Sequence, residues 1–249
     1  MKKIYLALVI LFFIGCTTKA PITQRSQLVL ISPSEERAMG ERSYKKFLSK
    51  AKLSTDKLQI ERVKNIGKKI AVAANRRDYN WEFNLVDDKQ VNASCLPGGK
   101  VIVYTGILKI AQNDDQLATV MAHEIAHALA RHGAERMSHQ QISSTVQTIG
   151  SILIGAAAPG YSSAFDVAYG YGTQLGVMLP YSRNHEHEAD EIGIYLMKKA
   201  GYDIHEAVKF WKNMKKVKGK IPPEFLSTHP SDDNRIRKIS QTVQRLDRR

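Results

Sequence analysis

The apolar positions of this chain recur mostly with the spacing of α-helices. Ser32-Pro33-Ser34-Glu35 combines a capping box with a proline at the first helical position, which predicts a helix that runs to about Leu48. Apolar residues at helical spacing predict further helices over residues 55–75, 117–138, 185–200, 203–216 and 231–246. Asp203 and Glu206 have the spacing of a capping box, so we expect them to begin the helix over 203–216.

Two shorter segments have the pattern of β-strands. Trp81 to Val86 alternates apolar and polar residues, and Val101 to Thr105 follows the turn sequence Pro97-Gly98-Gly99. The chain is therefore predicted to have an α+β fold that is mainly helical with a small β-sheet. We expect residues 33–249 to form a single domain.

The segment between residues 140 and 179 is rich in glycine, alanine and serine. Its apolar patch over 149–158 is interrupted by glycine and proline before it reaches the length of about 20 residues that spans a membrane. This composition is compatible with a mobile lid or a membrane-dipping element. It is equally compatible with helices that pack through small residues.

The N-terminus has the pattern of a targeting signal. Lys2 and Lys3 precede the apolar run Ile4 to Ile14, and Gly15-Cys16 follows, as at a bacterial lipoprotein cleavage site. We therefore expect residues 1–15 to be a signal peptide, Cys16 to carry lipid, and 16–32 to be a tether. Thr17, where inner-membrane lipoproteins have aspartate, favours the outer membrane with the domain in the periplasm. The alternative is an ordinary secretory signal or an N-terminal anchor.

Composition and charge narrow the classes of function. The chain is 43% hydrophobic and 24% charged, which is typical of a globular protein and excludes a disordered or fibrous one. Its net charge of +13 favours anionic membranes or anionic partners, while the absence of a nucleic-acid-binding motif argues against nucleic acid. Two cysteines, Cys16 and Cys95, exclude a disulfide framework, and we expect Cys95 to be a packing residue.

The strongest chemical signal is His123-Glu124-x-x-His127 in a predicted helix. Residues four apart lie on one helical face, so both imidazoles can bind one zinc ion, and Glu124 can act as a base toward a water beside it. A catalytic zinc has three protein ligands and one open position, which requires a third ligand elsewhere in the chain. We expect one zinc per chain.

The third ligand is sought between residues 182 and 190. Glu186 and Asp190 share a helical face there, so Glu186 can bind zinc while Asp190 accepts the outer N–H of a ligand histidine. His187 is the alternative ligand. We expect Glu188 and His185 to lie on other faces. The remaining histidines, His132, His139 and His205, are interpreted as surface or packing residues.

Four stretches together resemble the HtpX/BepA-type zinc metallopeptidases, a gluzincin family. They are the helix from Val120 to His132, the segment from Ser182 to Asp190, the segment from Asn92 to Gly106, and Ser227-Thr228-His229-Pro230 with Arg235-Ile236. The likeness extends from about Glu35 to the C-terminus and is greatest to short, single-domain lipoprotein members such as YcaL and LoiP. It implies a zincin-like fold, Glu186 on zinc, Asp190 behind a ligand histidine, and a hairpin with Pro97, Gly98 and Gly99 beside the cleft.

His229 and Arg235 are candidates to stabilise the negative charge of a tetrahedral intermediate. The resemblance implies a second role for His229, that of a latch occupying the open zinc position. The alternative is that His229 caps the last helix while Arg235 is tied to a carboxylate.

The predicted activity is zinc-dependent endopeptidase cleavage. The resemblance implies unfolded or misassembled envelope proteins as substrates, in quality control, with extended substrate adding to the sheet edge. Two alternatives are a zinc hydrolase acting on cell-wall peptide and a zinc-containing chaperone or assembly factor. The sequence does not predict the oligomeric state.

Overall fold

The computed structural model describes residues 17–217, 224–230 and 232–248. The predicted signal peptide and Cys16 lie outside the described residues. The strands are β1 (Thr17–Lys19), β2 (Ser26–Leu28), β3 (Glu82–Val86), β4 (Ala93–Leu96) and β5 (Lys100–Tyr104). The α-helices are α1 (Pro33–Leu48), α2 (Lys57–Ala74), α3 (Asp114–Leu129), α4 (His132–Ala157), α5 (Ser162–Thr173), α6 (Leu179–Lys199), α7 (His205–Lys216), α8 (Glu224–Thr228) and α9 (Asp233–Asp247). The mainly helical α+β prediction is confirmed.

Helix α3 occupies the middle of the core. It packs against α6, α2, α7 and strand β4, and Val120, Met121 and Ile125 are fully buried. A helix that is apolar on most of its circumference has to be covered on every side. His123 and Glu124 are therefore held inside the protein, on a helix that neighbouring elements fix in place.

The small sheet has the order β3-β5-β4. Strand β5 is parallel to β3 and antiparallel to β4, and Pro97-Gly98-Gly99 forms the turn between β4 and β5. Gly98 and Gly99 have φ values of 89° and 85°, a region that glycine enters without steric cost. Among the described residues β4 pairs only with β5, so it is an edge strand.

The single long helix predicted over 117–138 is wrong, because the chain turns at Arg131. Arg131 adopts the left-handed conformation with φ of 55°, which ends α3 and starts α4 one residue later. Its guanidinium donates to Glu36 Oε2 at 2.6 Å and to the carbonyl of Ile31 at 2.6 Å. These distant partners stabilise a conformation that local sequence disfavours.

The predicted capping box at the start of α7 is also wrong. The helix begins at His205, and Asp203 Oδ1 accepts a hydrogen bond from the backbone N–H of His205 at 2.9 Å. The Glu206 carboxylate accepts from Gln116 Nε2 at 2.8 Å and pairs with Lys209. The Glu206 side chain, which a capping box would use to accept from a backbone N–H, is instead bonded to Gln116 of α3.

The segment over 140–179 is helical. The C-terminal half of α4 and helix α5 pack on one another, with Phe165 lying against Gly150, as the packed-helix alternative predicts. The outward surface exposes a set of large apolar side chains: Val146, Ile149, Ile152, Leu153, Tyr161, Val167, Tyr171, Leu175, Val177 and Leu179. Among the described residues, no helix has the length and apolarity needed to cross a membrane.

Candidate metal centre

Four side chains from three elements direct donor atoms to one point. His123 and His127 lie one turn apart on α3, with their Nε2 atoms 3.1 Å from each other. Glu186 of α6 places Oε2 3.3 Å from His123 Nε2 and Oε1 3.3 Å from His127 Nε2. His229, which follows α8, brings Nδ1 to 3.2 Å from His123 Nε2 and 3.0 Å from Glu186 Oε2.

The spacing of these donors fits a tetrahedral zinc ion. Ligand distances of about 2.0–2.1 Å place neighbouring donors about 3.3–3.4 Å apart, close to the separations observed. Burial holds the pKa of His127 well below its usual value, so its imidazole is neutral and can ligate. Although burial opposes it, hydrogen bonds from His123, His127 and His229 hold the pKa of Glu186 far below its usual range, so its carboxylate is anionic.

Of the two ligands that sequence left open, Glu186 is the one in the cluster. His187 is the next residue on α6 and does not belong to the group of convergent donors found in the described part of the chain. Adjacent helical residues are separated by about 100° around the axis, so only one of them can face α3.

Glu124 lies beside the cluster without a hydrogen-bond partner for one carboxylate oxygen. Glu124 Oε1 is buried and makes no hydrogen bond within the described residues, and His229 Nε2 lies 3.5 Å from it. Burial raises the pKa of Glu124 to about 7. A carboxylate whose pKa lies near neutral pH, and which has an oxygen free to accept a hydrogen bond, can take a proton from water and return it.

Asp190 and Arg235 support His123 from behind. Asp190 Oδ1 lies 3.0 Å from His123 Nδ1, the nitrogen that faces away from the cluster. Arg235 donates to both Asp190 oxygens, at 2.8 and 2.9 Å, and its Nη1 lies 3.0 Å from Glu186 Oε2. Its guanidinium also stacks on Trp211, 3.6 Å from the ring centre.

The structure thus places Arg235 in the arrangement that sequence analysis kept as the alternative to a stabiliser of the intermediate. It is tied to carboxylates, with its side chain 2% exposed. Because Arg235 is paired with Asp190 and Glu186, it can hold two candidate ligands in position. It acts on His123 through Asp190, and it contacts Glu186 directly.

An open cleft of about 400 Å³ borders the cluster. Its lining includes Glu124, His127, Glu186 and His229. Residues 92–97, which include the whole of β4, line the same cleft. Of the predicted hairpin residues Pro97 lines the cleft, while Gly98 and Gly99 make the turn, packed against Arg37 and Trp81. The surface next to the donors is therefore β4 rather than the glycine turn.

Comparison with known families decides the wider assignment. The family model described as Peptidase family M48 matches residues 57–243, which include every donor of the cluster. The chain belongs to peptidase family M48.

Individual M48 relatives agree with the family match. Mitochondrial metalloendopeptidase OMA1 of Schizosaccharomyces pombe is 34% identical over 226 residues, covering 89% of this chain and 65% of the relative. The corresponding OMA1 protein of Saccharomyces cerevisiae is 34% identical, covering 95% of this chain and 73% of the relative. A beta-barrel assembly-enhancing protease of Escherichia coli is 31% identical over 83% of this chain, which spans only 43% of that protein.

Family M48 consists of zinc metallopeptidases, and the His-His-Glu-His cluster is where this chain can hold the ion. The predicted family resemblance, enzyme class and cofactor are confirmed at that level. The relatives include mitochondrial and bacterial proteins. Their names therefore do not fix the compartment of this chain.

Three further side chains are buried next to the donor cluster. His132, interpreted from the sequence as a surface or packing residue, is 4% exposed, and its Nδ1 lies 2.9 Å from Nδ1 of His127. Glu188 and His185 lie outside the group of convergent donors found in the described residues and are buried beside His132, with His132 Nε2 2.9 Å from Glu188 Oε2. Burial lowers the pKa of His132 to about 4, so its ring is neutral. The signal in the sequence was His132 five residues after His127, but an unbroken helix would have turned it away.

Proposed function

We propose that this chain is a zinc-dependent endopeptidase with His123, His127 and Glu186 as the zinc ligands and Glu124 as the general base. One observation carries this proposal. Three of the four convergent donor residues, together with Glu124 and its unpartnered oxygen, belong to the lining of a cleft that is also lined by an edge strand. A peptide backbone paired with that strand would lie against the residues needed to hydrolyse it.

The edge strand β4 explains how substrate is held. An extended peptide can pair with its free edge, since backbone N–H and C=O groups bind without regard to side chains. In this pairing, the carbonyl group of the scissile peptide bond faces the ligand cluster. Zinc, when bound, supplies Lewis acidity toward that carbonyl and lowers the pKa of a nearby water.

Proton transfer belongs to Glu124. Its buried carboxylate takes the proton of the attacking water and then delivers it to the leaving amine. Asp190, held by Arg235, accepts the Nδ1–H of His123. The proton therefore stays on Nδ1, and the unprotonated Nε2 faces the cluster. His229 is the remaining side chain that can stabilise negative charge on the former carbonyl oxygen.

The proposed substrates are unfolded or misassembled proteins of the bacterial cell envelope, cleaved as quality control. The sequence pattern around Cys16 supports a lipid-anchored enzyme, placed at the outer membrane and facing the periplasm. The similarity to a bacterial beta-barrel assembly-enhancing protease supports the envelope setting. Nucleic acid has no part in this proposal.

The direct test is degradation of a purified envelope protein, offered unfolded and folded. We expect cleavage of the unfolded form, loss of cleavage with a zinc chelator, and recovery when zinc is restored. The non-chelating isomer of the same compound serves as the control. Degradation that proceeds equally well in the presence of the chelator would exclude a metallopeptidase.

His229 supports a second candidate, in which the enzyme is held latent or acts without proteolysis. Its Nδ1 occupies the fourth corner of the donor cluster, the position that attacking water needs. The imidazole has to leave that corner before a substrate can be cleaved. A chain in which it never leaves would be a zinc-containing assembly factor.

Replacing His229 separates these possibilities. We expect His229→Ala to raise the cleavage rate at low substrate about tenfold, as when a competent state is populated only about a tenth of the time. The measurement is the initial rate with a quenched fluorescent peptide. His205→Ala, an exposed histidine on α7, is the control and should leave the rate unchanged. A rate that falls with His229→Ala would instead identify His229 as a stabiliser of the intermediate.

A further inference from the structure

A chain of hydrogen bonds leads away from the zinc ligand His127. Because its Nε2 faces the donor cluster, its Nδ1–H can donate to His132 Nδ1, 2.9 Å away. The other ring nitrogen of His132 then donates to Glu188 Oε2, at 2.9 Å. The position of the His127 ring thus depends on the buried carboxylate of Glu188, which acts on it through His132.

The counter-charge for that carboxylate comes from the N-terminal segment. Arg25, in the loop that joins β1 to β2, places Nε 2.7 Å from Glu188 Oε2. Its two terminal nitrogens donate to Glu135 at 2.9 and 2.7 Å. The Thr23 hydroxyl donates to the other oxygen of Glu188. Both carboxylates are buried, so their charges require these partners.

The same segment is fixed to the active-site helices by further contacts. Gln27 of β2 donates to the carbonyl of Ala130, and the backbone N–H of Leu30 donates to Ser138 Oγ at 2.9 Å. Residues 16–32, predicted as a tether, therefore contain a hairpin docked on the beginning of α4. When this hairpin is docked, its Arg25 also compensates the charges of Glu188 and Glu135.

His123 and His127 are supported in parallel ways. Behind His123 stand Asp190 and then Arg235, both within residues 57–243 that the family model matches. Behind His127 stand His132, Glu188 and then Arg25, and Arg25 lies outside the matched residues. One ligand is supported by the family domain alone, and the other depends on a residue from the N-terminal hairpin.

We infer that Arg25 is a positioning residue for the zinc ligand His127, so that docking of the N-terminal hairpin sets the affinity of the site for zinc. This inference rests on the proposed zinc site. Without Arg25, Glu188 and Glu135 lose a shared cation, and Glu188 no longer holds a fixed position for His132. His127 then loses the acceptor that orients its ring.

The test measures the zinc dissociation constant of the full chain by competition with a chromophoric chelator. Arg25→Gln should raise that constant about 10- to 100-fold, the usual effect of removing an outer partner of a ligand. Arg25→Lys should recover part of the loss because it restores the charge. Arg62→Gln is the matched control: Arg62 pairs with Asp114 at 2.6 Å at similar exposure, far from the ligands, so its zinc affinity should equal wild type.

Thermal unfolding with and without zinc distinguishes positioning from a structural role. Positioning predicts that the rise in Tm on adding zinc is smaller for Arg25→Gln than for wild type. If Arg25→Gln does not fold, Thr23→Val decides, because it removes one donor to Glu188 and should weaken zinc binding by a smaller factor.

Unchanged zinc affinity in Arg25→Gln, or in Thr23→Val where that variant decides, would overturn the inference and leave the proposed function standing. A wild-type chain that binds no zinc would overturn both. The two failures are therefore distinguishable in one set of titrations.

Discussion

The Glu124→Gln variant is expected to keep its zinc and to lose cleavage by between about 10² and 10⁴-fold in kcat. Glutamine has the shape of glutamate but cannot take a proton from water. The ligands His123, His127 and Glu186 remain in place, so metal content should stay at one zinc per chain. KM should change little because the proposed binding of the peptide uses the edge of β4 and not Glu124.

Parallel assays of cleavage rate and zinc content check this expectation. Glu61→Gln is the control, since Glu61 is an exposed carboxylate on α2 that pairs with the surface lysine Lys64. Its rate should match wild type. Cleavage by Glu124→Gln within tenfold of wild type would remove the proposed base from the mechanism.

The largest effect on stability is expected from Arg235→Ala. Its guanidinium pairs with both Asp190 and Glu186 and covers Trp211, so removing it leaves two buried carboxylates without their shared cation. Breaking a buried ion pair in this way costs about 3–5 kcal/mol in the free energy of unfolding. Zinc binding should weaken as well, because Asp190 no longer holds His123 in position.

Denaturant unfolding of the zinc-free protein measures this cost without a contribution from the metal. Arg237→Ala is the matched control on the same helix, because Arg237 is exposed and donates to the side chain of Asn234. Its effect should stay within about 0.5 kcal/mol. A loss below about 1 kcal/mol for Arg235→Ala would show that Asp190 and Glu186 find other partners.

The sequence predicted the parts of the site that depend on local spacing. His123 and His127 lie four apart on one helix and both face the cluster for that reason, while Glu186 and Asp190, also four apart, share the face of α6 that meets His123. The residues after Arg131 were misassigned because a helix break that depends on Glu36 and Ile31, far away in sequence, leaves no local trace. Arg25 was hidden for the same reason, since its partners lie more than a hundred residues away.

The free edge of β4 has a consequence for which proteins this enzyme can attack. A polypeptide can lie along that edge only where its own amide and carbonyl groups are unengaged, over several consecutive residues. Native proteins keep those groups satisfied internally, whereas stalled or damaged chains do not. The enzyme would then select its substrates by their conformational state, unfolded rather than folded, and not by their amino-acid sequence.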